Sequence, residues 1–257
     1  MLFYSQQGED LFILKNLINK KCPSGVFVEV GALDGIKYSN TGFLEQELCF
    51  SGVLIEPSEF FYRLEQSRHK CICVRKAIAE THKRVLFKQD WARSGIVDTL
   101  PDEYLHQQFY EGNVDKPFRM EDYVHELETT PLHEVLEEHK IEYIDFMSID
   151  VEGGELGVLQ SMNWDIPTYV ICIELQGVDE DKDNACRQIL IENGFKLRQK
   201  LSINEFYVND AYFRKNELYD PDKPYVDWSV YTHIWQIGSF LNLEPNCIEE
   251  VQRVILG

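Results

Sequence analysis

The chain has 257 residues, 44% of them hydrophobic, which is enough for a full core and excludes a disordered chain. Its 44 acidic against 25 basic residues leave a net charge of −19, which argues against a nucleic-acid backbone or an anionic membrane surface as partner. A small or neutral acceptor fits better, and a nucleic-acid partner is not expected.

Seven cysteines (Cys22, Cys49, Cys71, Cys73, Cys172, Cys186, Cys247) form no C-x-x-C pair and no zinc spacing. An odd count without framework spacing points to a reducing compartment. No signal sequence is read before Gln6 and no apolar run has the length of a membrane span, so a soluble, cytoplasmic protein is expected.

In chain order, the polar stretch Ser5-Gln6-Gln7-Gly8-Glu9-Asp10 leads into a helix predicted over 11–19, with Ser5 or Asp10 as its cap. Val26, Phe27, Val28 and Val30 then form a short β-branched run, the composition of a strand buried on both faces of a parallel sheet. Glu29 interrupts it. Gly31 and Gly35 supply turn glycines, and Ser39, Asn40 and Thr41 offer N-caps for a helix over 42–49. Strand, glycine turn and helix make the first half of a βαβ nucleotide-binding unit.

A dinucleotide fold uses G-x-G-x-x-G to bring backbone against a pyrophosphate, whereas the glycines here stand at 31 and 35 with an acid inside the strand end. A carboxylate there repels a pyrophosphate and attracts a cationic ligand. S-adenosylmethionine (SAM), with an amine and a sulfonium and no phosphate, meets that description. An ordinary turn with no ligand explains this stretch equally well.

The next strand, 52–56, ends in Glu56, near the interval at which an acid meets a ribose diol in nucleotide folds. With both acids in place the ribose reading is preferred over a helix N-terminal acid favoured by the macrodipole. A helix over 59–66 and a strand over 71–74 follow, then Lys76-Ala77-Ile78-Ala79, where an adenine would lie. An extended segment is predicted over 84–88 and a turn at Ser94-Gly95. Residues 98–117 are polar and irregular, as a lid or acceptor loop would be.

A helix over 132–139 presents a solvated acidic face; His133 and His139 are not four apart and form no metal pair. A buried strand from Tyr143 ends in an acid, with Asp150 and Glu152 as alternate residues at its end, before a glycine turn and a helix over 155–162. The strand over 169–175 carries Glu174, the helix over 182–193 stops at Gly194, and 195–200 with 205–209 form a hairpin.

The expected architecture is α/β: a seven-stranded, Rossmann-like, mostly parallel sheet over 1–215 that closes in an antiparallel hairpin. The C-terminal extension, 216–257, has its own aromatic cluster and an amphipathic stretch over 231–243. It packs on the core or offers a homodimer surface.

Together, Ser5-Gln6-x-Gly8-Glu9-Asp10, Glu29-x-Gly31-x-x-Asp34-Gly35, Ser39-Asn40-Thr41, Ile55-Glu56-Pro57 and Ile149-Asp150-Val151-Glu152-Gly153 resemble the FkbM family of SAM-dependent methyltransferases. The likeness spans 5–209 and departs at 98–117 and after Glu217. It implies a seven-stranded SAM-binding fold whose members mostly methylate hydroxyls, often of sugars or glycosylated natural products.

On this reading Glu29 or Asp34 meets the amino-acid end of SAM, Gly31 admits the ligand to backbone, and Glu56 takes the ribose. The resemblance adds Gln6, Asn40 and Ser94. Asp150 is the first candidate for the base that takes the acceptor's proton, with Glu152 and Glu174 as alternates. The same three carboxylates could instead hold a hard divalent cation against the acceptor oxygens. The plainer readings are an N-cap for Asp150 and a Lys or Arg partner for Glu174. Rival functions are an NAD-dependent oxidoreductase, disfavoured by the missing glycine triplet, and a non-catalytic SAM-binding protein.

Overall fold

The computed structural model describes residues 4–18, 24–105 and 123–212. The expectations for the C-terminal extension, and most of 98–117, fall outside these residues.

The polar N-terminal stretch enters α1 (Glu9–Phe12), which runs into a π-helical turn over Ile13–Leu17. The helix therefore starts two residues earlier than predicted. Its N-cap is Gly8, with no side-chain cap. Asp10 instead gathers the strap behind it, accepting from the Tyr4 and Ser5 amides and the Ser5 hydroxyl.

Then come β1 (Val26–Val30), α2 (Gly42–Leu48), β2 (Ser51–Ile55), α3 (Phe61–Ser67) and β3 (Ile72–Val74). These are the predicted βαβ half and its extension. They are followed by β4 (Ala77–Ile78), β5 (Arg84–Lys88), β6 (Gly95–Ile96), α4 (Asp102–Leu105) and β7 (Val124–Thr130). The chain continues through α5 (Leu132–Glu138), β8 (Ile144–Ile149), α6 (Glu155–Gln160) and β9 (Thr168–Glu174). Last are α7 (Glu180–Glu192), β10 (Lys196–Leu201) and β11 (Asn204–Val208).

Seven strands form one sheet in the order β10-β11-β9-β8-β1-β2-β3. The strands from β9 to β3 run parallel, while β11 is antiparallel to both β9 and β10. The order reverses between β1 and β8, the switch point at whose carboxyl end ligands bind in such sheets. Alternation along each strand feeds two cores. Phe27 and Phe146 point toward α1 and α2; Val28 and Met147 point toward α5, α6 and α7.

The segment predicted over 84–88 is β5, and it leaves the main sheet. It joins a second, four-stranded sheet, β4-β7-β5-β6, over a small cluster of Val85, Phe87 and Ile96. Strand β7 escaped the sequence reading because its acids are exposed and only its last two residues are buried. This second sheet brings the turn at Ser94 across the end of β8. Among the described residues, no helix is long and apolar enough to cross a membrane.

Candidate active site

Strands β1, β2 and β8 deliver their carboxyl ends to one cleft, and Glu29, Gly31, Glu56, Ser94, Asp150 and Glu152 all line it. The cleft requires the glycine. Gly31 has φ +89, and a Cβ there would lie 1.7 Å from the Asp150 carbonyl oxygen, so no other residue lets the β1 turn pass β8 so closely.

Glu56 is buried at the end of β2, where its two carboxylate oxygens accept from the Leu33 and Ser58 amides at 2.8 Å each. One amide per oxygen leaves lone pairs for a diol. Burial raises its pKa, and the Ser58 hydroxyl, then the Ser58 and Leu33 amides, pull it back. Ser94 borders the cleft with its hydroxyl donating to the Trp91 carbonyl at 2.6 Å and accepting from the Asp90 amide.

Glu29 also borders the cleft, but its oxygens are taken by protein. They accept from the Ser39 hydroxyl at 3.0 and 3.2 Å, the Asn40 amide at 2.9 Å and the Thr41 hydroxyl at 2.7 Å. Its immediate work is to tie the 39–41 turn to β1. The guanidinium of Arg68, fully buried, lies 3.8 Å behind it. Burial raises the Glu29 pKa and Arg68 opposes the rise.

Gln6, Asp34 and Asn40 do not line the cleft. Gln6 is exposed on the strap. Asp34 closes its own turn, accepting from the Ile36 and Lys37 amides. Asn40 is buried and donates to the Ser148 hydroxyl, bolting the turn to β8.

Asp150, Glu152 and Glu174 converge at the ends of β8 and β9, with a carboxylate oxygen of each within 4.8 Å of the others. Glu152 has φ 53 and Gly153 φ 97, so two successive left-handed residues swing the chain off the strand. Such a conformation in a non-glycine residue costs about 1–3 kcal/mol and is characteristic of functional sites.

Neither acid takes the direct partner that its plainer reading assigns. The N-cap of α6 is Gly154, not Asp150. Lys182 pairs with Glu155 at 2.8 Å; no Lys or Arg forms an ion pair with Glu174 among the described residues, and the Lys182 charge acts on it only from farther off. What joins the cluster is Gln176, whose side-chain amide donates to Glu152 at 2.8 Å and to Glu174 at 2.7 Å.

Burial raises all three pKa values, and crowding with like charge raises them further. The Asp150 carboxyl is pushed well up by burial, then by Glu174 and Glu152. Glu152 is pushed up to about 8 by burial and Glu174. Glu174 rises through burial while Gln176 opposes it. Lying this close together, the three titrate as a set rather than singly.

Gln176 also opens on a second cavity of about 430 Å³, lined besides by Thr99 and Gln160 and meeting the first cleft at Gly154. That volume is within the range of small-molecule sites. Neither Gln176 nor Arg68 was legible beforehand, since nothing local marks an amide or a guanidinium whose partners lie in other elements.

The family model described as Methyltransferase FkbM domain matches residues 29–197, which include every strand end of the cleft. The chain belongs to the FkbM methyltransferase family. Among solved structures it is similar to a methyltransferase FkbM from Methylobacillus flagellatus KT, at 15% identity and a TM-score of 0.43, over 72% of this chain and 44% of that one. It is also similar to the Methanococcus jannaschii fibrillarin pre-rRNA processing protein, at 11% identity and a TM-score of 0.38, over 79% and 76% of the two chains. The chain thus spans less than half the length of the first. No curated protein matches it.

The cleft of this family member suits SAM by its donor set. It presents acids at the ends of three strands and, as cations among the described residues, only Lys37 and Lys76, a poor cradle for a pyrophosphate and a fitting one for a ligand with an amine, a sulfonium and a diol.

Proposed function

We propose that the chain transfers a methyl group from SAM to a hydroxyl of a small, polar acceptor such as a sugar or glycan. The reading is carried by one observation: Glu29, Glu56 and Asp150, at the carboxyl ends of three different strands, border one shared cleft. Glu56 holds the ribose. Glu29 orders the turn beside the amino-acid end and keeps that end of the cleft negative.

When bound, SAM supplies an electrophilic methyl that needs no further activation. The protein's share is alignment, which can provide ~7–11 kcal/mol as an entropy term, and removal of the acceptor's proton, typically about 10²–10⁴-fold. With SAM bound, the acceptor oxygen would form the new C–O bond as the C–S bond breaks, and its proton would pass to a carboxylate oxygen of Asp150. A base crowded by Glu152 and Glu174 binds that proton more strongly than an ordinary aspartate. The 430 Å³ cavity beside Gln176 seats the rest of the acceptor, its amides and hydroxyl suiting a polyol.

A second reading rests on the same convergence: three carboxylate oxygens within 4.8 Å suit a hard divalent cation that would hold the acceptor oxygens and lower their pKa. One assay addresses both. Labelled SAM and a panel of neutral sugars, phenols and sugar phosphates, run with and without EDTA, should label a neutral sugar in either condition. Label on phenols alone would contradict the acceptor class, and loss with EDTA would favour the cation.

A further inference from the structure

We propose that Lys37 is the anchor for the carboxylate of the donor's amino-acid end, held ready over the rings of Trp91 and Tyr38. The inference rests on the SAM reading of the cleft and concerns a residue that reading leaves unused.

The argument begins with charge. Glu29, Glu56, Asp150 and Glu152 border the cleft against Lys37 and Lys76. A ligand whose amino-acid end is a zwitterion brings a carboxylate into this acidic surrounding, where it needs a cation. Position selects between the two lysines. Lys76 follows β3, whereas Lys37 lies in the turn after β1, on the side of Glu29 and Gly31, where the proposed function puts the amino-acid end.

Lys37 is held in place from both directions. Its amide donates to Asp34 at 2.8 Å, and Tyr38 forms a backbone bridge with Ser5 of the N-terminal strap. Its ammonium stands 4.2 Å from the Trp91 ring centre and 5.2 Å from that of Tyr38. The two rings are 5.7 Å apart and both border the cleft. Each carries a left-handed backbone, φ 52 at Trp91 and φ 64 at Tyr38, a conformation that bulky side chains rarely adopt.

Lys37 makes no ion pair among the described residues. An aromatic face orients an exposed ammonium but binds it less strongly than a carboxylate does, so Lys37 can turn from the rings to a ligand.

The test is calorimetry on the full chain with two probes, S-adenosylhomocysteine, which carries the amino-acid end, and 5′-methylthioadenosine, which lacks it. Lys37→Ala should weaken the first about 10- to 100-fold and leave the second within about twofold, with Lys37→Arg restoring most of the loss. Unchanged affinity for S-adenosylhomocysteine overturns the role of Lys37, and so does an equal loss for both probes, which would make the lysine a support of the turn. Wild-type protein that binds neither probe overturns the donor reading itself.

Discussion

Asp150→Asn should lower turnover by about 10²–10⁴-fold while donor affinity stays within about threefold. The substitution keeps the shape of the side chain and its place beside Gly31, but removes the oxygen that accepts the acceptor's proton. Stability moves the other way. Burial and mutual repulsion raise the carboxyls of this region above their unfolded values, with Glu9 near 7 and Glu152 near 8. A raised carboxyl binds its proton more tightly in the folded state. Its stabilising contribution is complete below about pH 4 and is lost as pH climbs through 7 to 8. Asp150→Asn takes one charge from the crowd, so the variant should melt higher than wild type at pH 8 and nearly alike at pH 4.5. Steady-state kinetics and melting at the two pH values check both halves. Full turnover would remove Asp150 as the base; a lower melting temperature at pH 8 would contradict the crowding.

Arg68→Ala should destabilise the fold by about 3–5 kcal/mol, because it leaves two carboxylates without their cation. Arg68 is wholly buried beneath the cleft, its guanidinium paired with Glu45 and 3.8 Å from Glu29. It also donates to the Gly35 carbonyl at 3.0 Å and to the Ser39 and Thr41 hydroxyls at 3.1 Å, with its Cζ 5.4 Å from the Phe27 ring centre. One side chain thus joins β1, the glycine turn, α2 and α3. Arg68→Lys keeps the charge but cannot span that fork, so an intermediate loss is expected. Urea unfolding measures both. A loss below about 1 kcal/mol for Arg68→Ala would show that Glu29 does not depend on it.

The central strands could be read from sequence because β1, β2, β8 and β9 are short β-branched runs, and an acid at or near the end of such a run stands out. Glu56, Asp150 and Glu174 stand out in the sequence that way. Glu29 was found by the same signal, yet three hydrogen-bonding groups of the 39–41 turn occupy its oxygens, a fact that requires the turn's folded path. Asp34 and Asn40 belong to the right motif but spend their side chains on the turn and on Ser148. The second sheet stayed hidden because β7 alternates acids with only partly buried positions, a pattern that resembles a solvated loop. Lys37 and Trp91 meet only because β5 and the turn after it fold back over the cleft. Local periodicity carries no signal for such contacts.

The most direct measurement is titration of the purified chain with S-adenosylhomocysteine, for wild type and for Glu56→Ala. The expected result is one site on the wild type, at least tenfold weaker in the variant, because a diol loses both of its acceptors. Wild-type protein that gives no binding heat, or a variant that binds as tightly as wild type, would contradict a SAM cleft built on the end of β2.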